Sequence, residues 1–163
     1  MIVSVEGGEA TAKSSLLVTA PLPIVIFSFD MGHERALYGK LYPEFVEGKK
    51  VAVHRYVKPA VKWVAGNFQV EEVKYEPFEG NDITVYELPS PIQMNINKIE
   101  GFIAQWEYFQ TIFVAAMGSP AVQTVGVDTM TLCYKNKCDA YLEEVNVKSD
   151  GGRKQLLQIE YGR

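Results

Sequence analysis

Apolar residues fall along this chain in two kinds of run. The first kind is short and continuous. Met1 to Val5 is a brief apolar stretch that reads as a strand and is ended by Gly7-Gly8. Ile24 to Phe29, introduced by Pro23, is an apolar run interrupted only by Ser28, of the kind buried on both faces of a parallel sheet. Lys13 to Thr19 lies between them and predicts a short helix stopped by Pro21. Strand, glycine turn, helix and strand together make one βαβ unit. Val122 to Val127 is a third such run, closed by Asp128.

The second kind of run is long and periodic. From Lys98 to Met117, residues Ile99, Phe102, Ile103, Trp106, Phe109, Phe113, Ala116 and Met117 recur every three or four positions. That spacing predicts a helix with one apolar stripe, ended by Gly118 and Pro120. Trp106 and its neighbours therefore read as core, not as a cofactor box. Thr129 to Val147 predicts a second long helix with Met130, Tyr134, Tyr141, Leu142 and Val145 inward. Ser149 to Gly152 is a turn.

The middle of the chain follows neither pattern for long. Asp30-Met31-Gly32 ends the second apolar run, His33 to Leu41 reads as a short helix, and Pro43 to Lys50 as loop. Val51 to Val57, Gln69 to Tyr75 and Asp82 to Leu88 read as strands with no long helix between them. The expectation is a β-rich antiparallel excursion over residues 48–97, with Trp63 and Phe68 in its small core, inserted in a single domain over 1–163. The fold class is α/β, with a mostly parallel sheet flanked by helices.

Composition narrows the class. Hydrophobic residues make up 47% and charged residues 22%, the balance of an ordinary globular domain. A net charge of -4 argues against a strongly basic nucleic-acid platform. Cys133 and Cys138 are too few for a disulfide framework and predict reduced thiols on the last helix. His33 and His54 are the only histidines, which disfavours a histidine-based metal cage. There is no charged segment followed by an apolar one at the start, so no signal peptide is expected. The run from Leu22 to Phe29 is too short to span a bilayer. A cytoplasmic protein without a membrane partner is the expectation.

The candidate chemistry lies in the first glycine turn. Residues 7 to 14 read Gly-Gly-Glu-Ala-Thr-Ala-Lys-Ser. The phosphate-binding P-loop reads G-x-x-x-x-G-K-[ST], and Gly7, Lys13 and Ser14 match it while Ala12 replaces the second glycine. Such a loop aims backbone N–H groups at phosphate oxygens. The nucleotide-binding expectation covers Gly7, Gly8, Glu9, Ala10, Thr11, Ala12, Lys13, Ser14 and Ser15. Lys13 would reach the β- and γ-phosphates of ATP, and the Ser14 hydroxyl would bind Mg²⁺. If position 12 needs a positive φ, alanine there costs roughly 1 kcal/mol.

Two carboxylates join it. Thr124-Val125-Gly126-Val127-Asp128 is an apolar strand ending in an acid, the Walker B pattern, so Asp128 would hold Mg²⁺ directly or through water. An aspartate here is also a good N-cap for the following helix, and the two roles are compatible. Asp30 ends the strand after the P-loop helix and would position or deprotonate the attacking water. It also suits a turn before Met31-Gly32. His33 and Glu34 read as solvated side chains, and His54 as a packed or surface histidine on a strand. Lys135, Lys137, Arg153 and Lys154 form small basic clusters that read as solvated faces.

These residues together resemble the RecA-like P-loop ATPases encoded by bacteriophages, the AAA-type phage nucleotide-binding proteins related to Sak-type recombination ATPases. The resemblance rests on Gly7 to Ser15 with Leu16 to Pro21, on Pro23 to Gly32, on Trp106 with Phe109, on Thr124 to Thr129, and on Gln158 to Gly162. Residues 39–97 match only loosely. It implies a RecA-like core, ATP and Mg²⁺ as ligands, a homo-oligomer, and phage DNA replication or recombination in the infected host's cytoplasm. Single-stranded DNA and a phage annealing or single-strand-binding protein are the implied partners. The family's carboxylate after the second core strand is commonly glutamate; Asp30 is one methylene shorter. Family members continue past the Tyr-Gly motif to further strands, so a shortened chain or a minimal relative is expected.

Two functions stay open from sequence. One is an Mg-dependent ATPase with Lys13 and Asp30 as catalytic residues. The other is a degenerate P-loop assembly module that binds nucleotide without efficient hydrolysis. A nucleotide kinase on the same loop is disfavoured by the lack of an arginine-rich lid segment, and a plain α/β domain with Gly7-Gly8 as a mere turn is the remaining alternative.

Overall fold

The computed structural model describes residues 2–7, 12–39, 41–59, 61–64, 67–70, 78–93, 99–149, 153 and 155–157. Four parallel strands make the main sheet. They are β1 (Ile24–Ser28), β2 (Val51–Arg55), β5 (Ile83–Glu87) and β6 (Thr124–Asp128), in the spatial order β2-β5-β1-β6. A separate antiparallel ribbon joins β3 (Val61–Val64) to β4 (Asn67–Val70), with Trp63 opposite Phe68. The helices are α1 (Lys13–Leu17), α2 (His33–Tyr38), α3 (Pro43–Val46), α4 (Phe102–Gly118) and α5 (Met130–Ser149).

Side-chain alternation along β1 places helices on both faces. Val25, Phe27 and Phe29 point into a cluster with Phe109, Ile112 and Ala116 of α4 and Cys133 of α5. Ile24 and Ile26 point the other way, into a cluster with Ala36 and Leu37 of α2 and Val18, just beyond α1. Both faces are thus covered, which is why the run carries no polar residue until Ser28. Phe27 is fully buried, edge-on to Phe109 at 5.1 Å between ring centres. Burying such a side chain contributes about 1.5–3 kcal/mol.

The α1 helix seats against β6 through a missing side chain. A β-carbon on Gly126 would stand 2.6 Å from Leu17 Cδ1, closer than any real contact. Glycine is what lets the first helix lie flat on the last strand. On the opposite face, α4 begins without a capping side chain of its own. Glu143 of α5 supplies one. Its carboxylate accepts from the backbone N–H groups of Gly101, Phe102 and Ile103 at 2.9, 2.8 and 2.9 Å. Three of the donors that a helix start leaves without partners are satisfied there. Gln105, fully buried, donates to Pro89 O at 2.7 Å and accepts from Asn136, tying α4 to both α5 and the chain leaving β5.

The structure departs from the sequence reading in several places. The antiparallel excursion is smaller than expected, because β2 and β5 are parallel strands of the main sheet. Among the described residues, antiparallel pairing is confined to β3 and β4. All five residues of β5 are buried, although Thr84, Tyr86 and Glu87 give it a half-polar look. Ile2 to Gly7 forms no strand, and Ile2, Val3 and Val5 are exposed. An apolar segment becomes a strand only when a neighbour supplies a ladder, and no described residue pairs with it. Pro43–Val46 is a helical turn rather than loop. On α4 the buried face includes Gln105 and Ile112, and Met117 is exposed. On α5, Met130 and Tyr134 face outward while Cys133, Asn136 and Ala140 are buried. Asparagine hid that face from a hydrophobicity pattern. Among the described residues no helix is long and apolar enough to cross a membrane.

Candidate phosphate and magnesium site

The four parallel strands end in register. Ser28 stands beside Glu87 on one side and Asp128 on the other, and Arg55 stands beside Glu87. These positions share the parity of Ile26, Val85 and Val53, so the row continues the sheet face that α1 and α2 cover. Apolar rungs fill that face below it. The last rung is polar, at the carboxyl edge where α/β sheets commonly bind ligands.

Three side-chain oxygens converge above this rung. A β-carbon built on Gly32 would lie 2.7 Å from Ser14 Oγ, 2.9 Å from Asp30 Oδ1 and 3.2 Å from Asp128 Oδ2. Ser14 comes from the first turn of α1, Asp30 from the turn after β1, and Asp128 from the end of β6. Any side chain at position 32 would fill the space among them. Asp30 Oδ1 accepts the Gly32 N–H at 2.8 Å, which shapes the turn, with Met31 at φ 62°. Asp128 is buried, and its Oδ2 has no hydrogen-bond partner. Burial raises the Asp128 pKa above its ordinary 3.8. The Ser14 hydroxyl works against that rise, Asp30 adds to it, and His33 and Lys13 oppose it. A buried carboxylate oxygen without a partner, facing a hydroxyl and a second carboxylate, suits a hard cation. Among the described residues no three His, Cys, Asp or Glu side chains form a metal cage. A magnesium ion here would take Ser14 and Asp128 from the protein and its other ligands from phosphate and water. When bound, it would neutralise phosphate charge.

The loop itself is described only at its ends. Gly8, Glu9, Ala10 and Thr11 lie outside the described residues. Ala12 adopts φ 59° and ψ 23°, so this position does demand the left-handed conformation, and the alanine is strained there. Lys13 Nζ donates to Gly7 O at 2.8 Å, drawing the two ends of the loop together. Ser15 is buried. The structure thus brings together Lys13, Ser14, Asp30 and Asp128. Gln158 to Gly162 lie outside the described residues.

Sequence reading missed two residues of this edge and misplaced a third. His33, expected to be solvated, is 2% exposed. Its Nε2 lies 3.0 Å from Glu87 Oε1 and its Nδ1 2.8 Å from Ser28 Oγ. A carboxylate only accepts, so Nε2–H donates to Glu87 and the Ser28 hydroxyl pairs with Nδ1. Arg55 Nε stands 3.8 Å from Glu87 Oε2. The signal was present in the chain. Ser28 and Glu87 each sit two residues after a buried aliphatic of the same face, which is where a parallel strand leaves the core. On α5, Lys137 lies over the Tyr134 ring at 5.9 Å.

No protein-family model, no curated protein and no solved structure matches this chain.

Proposed function

We propose that this chain is a RecA-like P-loop protein that binds ATP with Mg²⁺. The observation that carries the reading is the convergence of Ser14 Oγ, Asp30 Oδ1 and the partnerless Asp128 Oδ2 on the space left by Gly32. Three segments far apart in sequence meet there, next to Lys13. In this reading Lys13 binds the β- and γ-phosphates, Ser14 and Asp128 hold the metal, and Asp30 orients the attacking water for hydrolysis. A parallel sheet with helices on both faces supports it.

Direct binding of ATP in the presence of Mg²⁺, by calorimetry, tests the reading with Lys13→Ala. Loss of a charge-assisted hydrogen bond, about 1.5–3 kcal/mol, predicts affinity lower by roughly 10- to 150-fold. Equal affinity of wild type and variant would sink it. A nucleotide-binding assembly module without efficient turnover is the second reading. It is favoured by Asp30, whose Oδ1 is already held by the Gly32 N–H. Binding without phosphate release selects it. The step to phage DNA recombination, with single-stranded DNA and an annealing or single-strand-binding protein as partners, rests on the family resemblance alone. Single-stranded DNA that leaves ATP turnover and oligomeric state unchanged would count against it.

A further inference from the structure

The His33 imidazole is buried one residue beyond Gly32, yet no atom of it is among the oxygens that meet there. It spans two strands, pairing with Ser28 at the end of β1 and with Glu87 at the end of β5. Both partners are buried, Ser28 fully and Glu87 to 7% exposure. His33 is the first residue of α2, and Ala36 and Leu37 anchor the far side of that helix in the apolar cluster. Apolar contacts tolerate small slides and rotations, whereas two hydrogen bonds to one rigid ring fix its height and direction. The oxygens of the site meet against the bare backbone of Gly32, so the height of this turn sets their spacing. A β-carbon there would collide with Ser14 Oγ and Asp30 Oδ1, which shows how near the turn these oxygens lie.

We propose that His33, held between Ser28 and Glu87, is a positioning residue for the magnesium site. It locks the Asp30–Gly32 turn at the height where Ser14, Asp30 and Asp128 meet, without touching nucleotide or metal. The proposal rests on the Mg²⁺–nucleotide reading of the site and names the device that sets its geometry. It gives Glu87 a role as well. A buried carboxylate needs a partner, and the imidazole N–H supplies one while being oriented by it.

The test compares ATP affinity with and without Mg²⁺ in wild type, His33→Leu, His33→Gln and Glu87→Met. Leucine fills the space with no polar atom. Glutamine keeps a donor for Glu87 and an acceptor for Ser28. The expected result for His33→Leu is a loss of at least tenfold in the Mg²⁺-dependent gain in affinity, with metal-free binding within about twofold of wild type. His33→Gln recovers part of that gain. Glu87→Met, similar in length but without an acceptor for the imidazole N–H, shows the same selective loss and serves if the leucine variant does not fold. Equal losses with and without Mg²⁺ would mean a purely structural role and overturn the proposal. No loss in either folded variant overturns it too, while the nucleotide reading stands. A wild type that shows no Mg²⁺-dependent gain removes the site reading and this proposal with it.

Discussion

Asp128 carries a cost that the ligand-free protein bears. Its pKa is raised in the fold, chiefly by burial, so the folded chain holds that proton more tightly than the unfolded chain. The linkage follows directly. Below 3.8 both states are protonated and no penalty exists. As pH rises through the interval up to the raised folded value, ionisation favours the unfolded chain and stability falls. Asp128→Asn removes the ionisation. Thermal melts from pH ~4 to ~8 are expected to show the variant gaining on wild type as pH rises, by about 2–4 °C for each kcal/mol recovered. A difference that does not change with pH would refute this. Ala12 is a second residue-scale cost. Ala12→Gly relieves the left-handed strain and is expected to stabilise the ligand-free fold by up to about 1 kcal/mol in urea titrations, less the entropy glycine adds to the unfolded chain. Cys133 lies at the opposite extreme. Burial pushes its thiol up to about 11, so it should resist alkylation at neutral pH until the protein is denatured.

At the scale of elements, two contacts join pieces that sequence order keeps apart. Glu143 caps α4 from the middle of α5. Glu143→Ala strands three backbone donors and is expected to cost about 1–3 kcal/mol by urea denaturation, whereas Glu143→Gln retains an acceptor and costs less. Nothing local to Gly101 foretells this cap, since the acceptor arrives from some forty residues later. Gly126 is the other contact. Gly126→Ala pushes on Leu17 and is expected to lose about 1–3 kcal/mol, with recovery in the Gly126→Ala, Leu17→Ala pair. Simple additivity of the two changes would show that the close approach is not what matters. Element types were legible wherever the period was long or the run pure, as in α4, α5 and β1. The partner of β5 was not. Its Thr, Tyr and Glu read as a surface hairpin, because a strand polar in sequence becomes core only when neighbours on both edges and helices on both faces enclose it.

Across the whole molecule, the site is a meeting of α1, the β1–α2 turn and β6 on one sheet edge. Ligand binding should therefore stabilise the entire fold. Mg²⁺ and ATP together, at roughly 100 times the dissociation constant, are expected to add about 2.7 kcal/mol, seen as a rise in melting temperature that either component alone does not match. No rise with both present would contradict the assigned site. Several of these parts were readable in the chain. Lys13 and Ser14 opening a helix, the acid closing an apolar run at Asp128, and the turn at Asp30 are local patterns, fixed by residue chemistry and spacing. Ala12 was readable as a departure, but only the backbone shows that its position requires a positive φ. The rest was decided by tertiary structure. Strand order places Glu87 beside Ser28 and buries His33 between them, and Gly32 leaves the space in which three oxygens meet. Spacing along a chain sets what each segment is, but not which segments lie side by side. That depends on burying both faces of the sheet at once, a property of no single segment.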